Sequence, residues 1–83
     1  MLNDTAALDV WAEQTQPDDR TWRLVAEAVF AIGREPWTWP SKPLSQPTGQ
    51  PIVLRELVIE AASVTVFYEH THDSLVVDLL LVE

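Results

Sequence analysis

Residues 52–82 read IVLRELVIEAASVTVFYEHTHDSLVVDLLLV, and three runs within them are rich in Val, Ile, Leu, Phe and Tyr. The runs cover residues 52–59, 63–69 and 75–82, and segments of three and five residues separate them. Branched and aromatic side chains favour strands. Because strands joined by such short segments pair in opposite directions, this part of the chain predicts a three-stranded antiparallel sheet.

The runs differ in how their apolar side chains are distributed over the two faces of the predicted sheet. The middle run is expected to turn three apolar side chains toward the core, namely Val64, Val66 and Tyr68. The last run is apolar on both faces, and the same alternation places Val76, Leu80 and Val82 on its second face. One layer of helices covers only one face of a sheet. These three residues are therefore candidates for contact with a partner protein or a second copy of the chain.

Two helices are predicted ahead of the strands, over about residues 4–15 and 18–34. Their apolar positions recur at helical spacing, with Ala7, Leu8, Trp11 and Ala12 in the first and Trp22, Val25, Ala26, Val29 and Ile32 in the second. Pro17 ends the first helix, Asp18 or Asp19 caps the second, and Gly33 and Arg34 are read as its C-terminal stop. We expect Trp11 and Trp22 to lie in the core, and the pair to form an αα-hairpin on one face of the sheet.

Between the helices and the sheet, residues 36–51 contain five of the six prolines and Gly49. Proline removes a backbone donor and interrupts both helices and central strands, so this segment predicts a loop. Trp37 and Trp39 would lie on the same side of an extended segment. They are candidates for contact with a partner peptide or for stacking on a base or a sugar, and the alternative is that at least one of them covers the small core.

Size and charge limit the possible functions. The chain has 83 residues, no cysteine, and a net charge of −8 from 13 acidic and 5 basic residues. We expect one α+β domain over residues 1–83. The charge disfavours direct binding to nucleic acid or to anionic membranes. Met1–Asp4 lack a basic segment and an apolar core, so no secretory signal is expected and the protein is predicted to be cytoplasmic.

The order of these features resembles that of a known family. Two helices precede a Pro-containing loop with a late Gly, an Arg-x-Leu strand and an antiparallel hairpin with an aliphatic end; the residues concerned are 28–32, Glu35, Pro36, Leu44, Gly49, Arg55–Leu57, 64–68 and 76–82. This order resembles the RelE/ParE superfamily of bacterial toxins. The resemblance implies an α+β fold and a cognate antitoxin that wraps around the helices and the sheet.

The resemblance also implies a functional site, which this sequence matches only in part. In the ribonuclease branch of the family, basic residues on the sheet and near the C-terminus bind and cleave messenger RNA. Arg55 and Tyr68 are the candidate remnants of that site here, whereas Thr65 stands where an Arg is expected. The family's N-terminal strand is not predicted either. RNA cleavage requires a group that activates the 2′-hydroxyl and a cation that stabilises the phosphorane-like charge, so we predict no catalytic residues.

Other candidate chemistry is weak. His70 and His72 lie near Glu69 and Asp73, but we interpret this segment as a polar hairpin turn and predict no metal site. Arg55 is expected either to form a salt bridge with a carboxylate or to be the remnant of a binding site. The sequence contains no glycine-rich phosphate loop and no nucleophile elbow, so no cofactor is predicted.

Two functional hypotheses follow. The first is a RelE/ParE-like, toxin-type domain of a toxin–antitoxin system that acts through protein binding and lacks ribonuclease activity. The second is a stand-alone acidic interaction or regulatory module, which competes for basic surfaces as a nucleic-acid mimic does and has no toxin role. Either one is compatible with a homodimer formed through an exposed sheet face or edge.

Overall fold

The computed structural model describes residues 2–37, 41–44, 52–73 and 76–83. Within these residues the chain is α+β, as predicted, with two helices packed on a five-stranded mixed sheet. The helices are α1 (Ala6–Thr15) and α2 (Asp19–Arg34), and the strands are β1 (Leu2–Asp4), β2 (Lys42–Pro43), β3 (Ile52–Ile59), β4 (Val64–Thr71) and β5 (Val77–Val82). Neither helix combines the length and the apolar character that crossing a bilayer requires.

The strand order is β1-β5-β4-β3-β2, with β1 parallel to β5 and the other neighbours antiparallel. The prediction of a three-stranded, purely antiparallel sheet was therefore wrong, as was the prediction that the N-terminal strand is missing. Both additional strands lie at the edges and are only two and three residues long, too short for alternation to be recognised. β2 includes Pro43. Proline has no backbone N–H to donate, so sheets accept it at an edge, where one side of the strand has no neighbouring strand. The predicted loop over residues 36–51 thus contains β2, while residues 38–40 and 45–51, with Trp39, lie outside the described part.

The core lies between the helices and one face of the sheet. β3 and β4 pair along their whole length, and Leu57 stands opposite Val66. The buried apolar side chains are Trp11, Val25, Val29, Ile32, Leu57, Val64, Val66, Tyr68, Val77, Leu79 and Val82. The expected inward side of the middle strand is thus confirmed, and the stripe along α2 supplies three of the helical members of the core.

A β-bulge changes which side chains of β5 face the core. Tyr68 pairs with Leu79 and Phe67 with Leu81, so Leu80 has no partner on β4. An extra residue in one strand exchanges the two faces beyond it. Val82 consequently lies in the core and is only 6% exposed, which corrects the expectation that it shares an outer face with Leu80.

The helix pair is held by a side-chain cap and by a tryptophan contact. Asp18 Oδ1 accepts a hydrogen bond from the Thr21 backbone N–H at 2.8 Å, which caps α2. Hydrogen bonding by the Thr21 side chain, and then by its backbone, lowers the pKa of Asp18. The rings of Trp11 and Trp22 are stacked, with centroids 6.4 Å apart. Trp11 is buried as predicted, but Trp22 is 39% exposed, because it covers Trp11 from the solvent side and does not enter the core.

The helix α2 ends at Arg34, as predicted from Gly33 and Arg34, and Gly33 lies one residue before this end. It is buried, and a Cβ atom at this position would be 2.7 Å from Leu2 Cγ. Such an approach is shorter than van der Waals contact allows, so the glycine lets β1 pack closely against α2. Gly33 therefore links the helix to the edge strand that the sequence analysis did not find.

Gly33→Ala is expected to have different effects in two backgrounds. In the wild-type chain the new methyl group displaces Leu2, and β1 with it, so the free energy of unfolding does not increase. In a Leu2→Ala background the obstructing atoms are absent, and the higher helix propensity of alanine raises the free energy of unfolding by up to about 1 kcal/mol. The four proteins are the wild-type chain, the two single variants and the double variant. Urea unfolding of all four measures the free energy by which the two substitutions are coupled. Equal effects in both backgrounds would contradict the close packing of Leu2 on Gly33.

Candidate functional site

The inner face of the sheet carries three polar side chains at one end. Arg55 on β3 stands opposite Tyr68 on β4, and His70 follows two residues further along β4. Because alternate residues of a strand point to the same side, all three emerge on the face that the helices cover. Tyr68 is fully buried and His70 is 5% exposed, while Arg55 is half-buried. We call these three residues the polar cluster.

Tyr68 joins the polar cluster to the segment that follows α2. Its hydroxyl donates a hydrogen bond of 2.5 Å to the backbone carbonyl of Pro36, and the Ser41 hydroxyl donates to the same carbonyl at 3.2 Å. Burial raises the pKa of Tyr68, against smaller lowering effects of Ser41 and of the Arg55 charge. The phenol is therefore neutral at physiological pH and acts as a donor within the fold.

His70 joins Arg55 to β4. The Arg55 Nε–H donates to His70 Nε2 at 2.9 Å, and His70 Nδ1 lies 2.8 Å from the carbonyl oxygen of Thr71. A carbonyl oxygen only accepts hydrogen bonds, so Nδ1 carries the proton and Nε2 offers its lone pair to Arg55. Burial lowers the pKa of His70, the Thr71 carbonyl opposes this effect, and the charges of Arg55 and His72 add to it. His70 is thus held as the neutral imidazole.

These bonds correct two sequence predictions. Arg55 pairs with His70 and has no salt bridge to a carboxylate among the described residues, where the one ion pair joins Lys42 Nζ to Glu56 Oε1 at 3.0 Å. His70 lies in β4 and is buried, because this strand continues to Thr71 and does not become a turn at residue 70. His72 is exposed, and in the described part of the chain no group of side chains is arranged to hold a metal ion.

The arrangement offers a cation but no free base. Both ring nitrogens of His70 and the hydroxyl of Tyr68 are used in hydrogen bonds within the fold. Arg55 uses its Nε atom in this way, and its Nη atoms form no hydrogen bond or ion pair with any residue that the structure describes. The polar cluster can therefore attract an anionic or hydrogen-bond-accepting group through Arg55. It holds no group that is positioned to remove a proton from a substrate.

The predicted partner-binding residues do not form one surface. Trp37 directly follows Pro36 and is 54% exposed, and Leu80 is 46% exposed at the bulge of β5. Val76 is half-buried and Val82 is in the core. The sheet face that the helices leave open carries further apolar side chains, including Val58, Phe67 and Leu81, next to the Lys42–Glu56 ion pair. We call this surface the outer sheet face.

Comparisons of the chain with protein-family models, with curated proteins and with solved structures found no match.

The sequence indicated Arg55 and Tyr68 as site residues, but it did not indicate His70 as the partner of Arg55. The register of β3 against β4 is what brings the two together, because Arg55 pairs with Tyr68 and Val53 pairs with His70. Once two strands are aligned, the diagonal neighbour of an arginine lies within reach of its long side chain. The position of His70 two residues after Tyr68 was the available signal, since it places both on one face.

Stability is expected to depend on pH through His70. The unfolded chain protonates this residue at its ordinary pKa of 6.5, whereas the folded chain does so only at lower pH. The contribution of neutral His70 to the free energy of unfolding is complete above pH 6.5 and is lost as the pH falls through the folded-state pKa. Urea unfolding between pH 7.5 and 5.0 measures this loss.

Two variants provide the controls for this measurement. His70→Gln is expected to remove most of the decrease in stability over this pH range, and His72→Gln, at an exposed position, is expected to leave it in place. If His70→Gln does not fold, an NMR titration of the wild-type imidazole gives the folded-state pKa directly. A value of 6.5 or higher would contradict the bonding described for His70.

Proposed function

We propose that the chain is a RelE/ParE-like, toxin-type domain that acts by binding another protein and has no ribonuclease activity. The observation that carries the proposal is the polar cluster. Arg55 and Tyr68, the two residues identified from the resemblance, stand opposite each other on neighbouring strands. They lie on the inner face of the sheet at the end of α2, and their bonds leave no free base beside them.

The order of the elements supports the resemblance. A strand, two helices and then an antiparallel group of strands follow each other, and the helices pack against one face of the sheet. The N-terminal strand that the resemblance implies corresponds to β1, which the sequence analysis did not include. This removes one of the departures from the family pattern.

The proposed lack of ribonuclease activity rests on the state of the polar cluster. Cleavage by the 2′-hydroxyl of RNA needs a base that can reach this hydroxyl. His70 is 5% exposed, and its lone pair at Nε2 already accepts a hydrogen bond from Arg55. Tyr68 is fully buried and its pKa is raised, which makes its phenolate less accessible still. Of the three residues in the polar cluster, only Arg55 can attract an anionic group. Because no neighbouring group can transfer a proton, this attraction leads to binding and not to cleavage.

A protein partner is supported by the exposed apolar side chains. Seven large hydrophobic residues are at least 39% exposed in the described part of the chain: Val10, Trp22, Phe30, Trp37, Val58, Leu80 and Leu81. Single exposed apolar residues are ordinary, but Val58 and Leu81 share the outer sheet face with Phe67, and neighbouring apolar side chains of this kind favour contact with another chain. The proposed partner is a cognate antitoxin, and a second copy of the chain on the outer sheet face or at a sheet edge is the homodimeric alternative.

Induced expression tests the proposal. We expect growth of the host to stop, and messages on translating ribosomes to stay uncleaved above background. Arg55→Ala is expected to leave message integrity unchanged because no cleavage depends on Arg55. Lys42→Ala removes an exposed cation outside the polar cluster and is the matched control.

Two results would contradict the proposal. Message cleavage by the wild-type protein that disappears in Arg55→Ala and persists in Lys42→Ala would show that the protein is a ribonuclease. A second branch of the RelE/ParE family acts on gyrase and needs no ribonuclease residues. Unchanged growth in the source organism and in a standard host, together with no inhibition of gyrase in vitro, would therefore reject the toxin assignment. Circular dichroism of each variant verifies that it is folded.

The net charge of −8 favours the second candidate function, an acidic module that competes for basic surfaces. This function predicts that the protein displaces DNA from a basic DNA-binding protein without affecting growth. The displacement assay and the growth assay therefore separate the two candidates.

A further inference from the structure

Five residues form a stripe along the side of α2 that faces away from the core. They are Arg20, Arg23, Glu27, Phe30 and Arg34, and all five are exposed. At 3.6 residues per turn these positions fall within an arc of about 80°, opposite the buried Val25, Val29 and Ile32. We call this stripe the outer face of α2.

The stripe concentrates positive charge in an acidic protein. Three of the five basic residues of the chain lie on it, with Glu27 as its one acid, so its net charge is +2 where the whole chain has −8. None of the three arginines forms an ion pair with a carboxylate among the described residues. The charge of Arg20 makes a minor contribution to lowering the pKa of Asp18 at the start of α2. Asp19 and Glu35 are exposed next to Arg20 and Arg34 in sequence, and the described part of the chain shows no ion pair between Asp19 and the stripe. The guanidinium groups of the stripe are therefore available to carboxylates from outside.

Phe30 supplies an apolar centre for the same stripe. Its side chain is 63% exposed, the largest value among the exposed hydrophobic residues of the described chain. It lies between Arg23 and Arg34 along the helix. An exposed aromatic ring flanked by cations is the kind of position that anchors an interface, because covering it removes apolar area from water while charges around it select the partner.

We propose that the outer face of α2 binds an acidic, amphipathic helix of a partner protein, which places an apolar side chain on Phe30 and carboxylates beside the three arginines. This proposal specifies the kind of partner for the proposed function, and it rests on that function for the existence of a protein partner. The stripe has spacings of three, four, three and four residues, the pattern of a seam between helices lying side by side. It is about 21 Å long, or four helical turns. An acidic helix of this length would complement it along its whole extent.

The same charges disfavour two other occupants. A second copy docked in full overlap with this stripe, with the twofold axis passing beside Glu27, would bring Glu27 against Glu27. If the helices were antiparallel it would also bring Arg20 toward Arg34, so like charges would meet in each case. A nucleic acid is disfavoured because three arginines around a phenylalanine provide few phosphate contacts.

Selection from a peptide library tests the proposal. Phage-displayed peptides of about twenty residues, long enough to span the stripe, are selected against the wild-type protein at low ionic strength. We expect the enriched peptides to combine several Asp or Glu residues with Leu, Ile or Phe at helical spacing. A synthetic copy of the most enriched peptide is then measured by isothermal titration calorimetry.

The variants give the expected pattern of affinity. Phe30→Ala should weaken binding about tenfold, as truncation of a central aromatic anchor does, and Arg23→Gln or Arg34→Gln about threefold each. Lys42→Gln removes the same charge from an exposed position outside the stripe and should leave the dissociation constant unchanged. All four side chains are exposed, and circular dichroism verifies that each variant keeps the wild-type helix content.

Four results would overturn the proposal. The first is that the enriched peptides are neutral or basic. The second is that their binding is unaffected by the α2 variants and is lost in Leu81→Ser on the outer sheet face. The third is that a 20-nucleotide single-stranded RNA binds with the same dependence on Phe30 and the arginines, and the fourth is that sedimentation shows a homodimer that Phe30→Ala dissociates.

Failure of this proposal and failure of the proposed function are distinguishable. A protein that stops growth but selects no acidic peptide through α2 keeps the toxin assignment and loses the docking surface. A protein that binds such a peptide through α2 but has no effect on growth keeps the docking surface and loses the toxin assignment.

Discussion

The hydrogen bond from the Tyr68 hydroxyl to the Pro36 carbonyl connects the centre of the sheet to the chain that leaves α2. Tyr68 is among the largest fully buried side chains, so its hydroxyl has no access to bulk water. A buried hydroxyl without a partner would cost about 1–3 kcal/mol, and Pro36 supplies that partner. The carbonyl also accepts a hydrogen bond from the Ser41 hydroxyl. One carbonyl group therefore joins the buried Tyr68 of β4 to Ser41, the residue before β2.

The polar cluster is a consequence of the same constraint. With Tyr68 inward, alternation along β4 turns His70 inward as well, and pairing with β3 brings Arg55 beside both. Among the described residues no carboxylate is paired with the Arg55 guanidinium. The side chains beside this cation must therefore accept hydrogen bonds and carry no positive charge of their own. His70 meets this condition because burial and the charge of Arg55 both keep the imidazole neutral. The cluster is thus stable as a bonded unit, and the same bonding occupies the atoms that a proton-transfer reaction would use.

The sequence predicted those parts of the fold that a repeated pattern specifies. Helical spacing located Val25, Val29 and Ile32 in the core, and strict alternation located Val64, Val66 and Tyr68 there. β1 and β2 were not found because two or three residues do not establish a period. The inward turn of Val82 depends on the bulge at Leu80, which is a property of the pairing between β4 and β5 and not of either strand alone. The bond between Arg55 and His70 was missed for a similar reason, since strand register determines it.

The charge of the chain has a different meaning once it is placed on the fold. A net charge of −8 repels an acidic partner at long range, yet three of the five cations share the exposed side of α2. At 0.1 M salt the Debye length is about 10 Å, whereas the shorter dimensions of the molecule are 20 and 22 Å. Carboxylates on the far side are therefore screened when a partner touches α2. The contact depends on the stripe, whose charge is +2, and on the exposed Asp18, Asp19 and Glu35 at the ends of the helix. Recognition through this face would depend on contact geometry and gain little from electrostatic steering, because the long-range field has the opposite sign to the surface that binds.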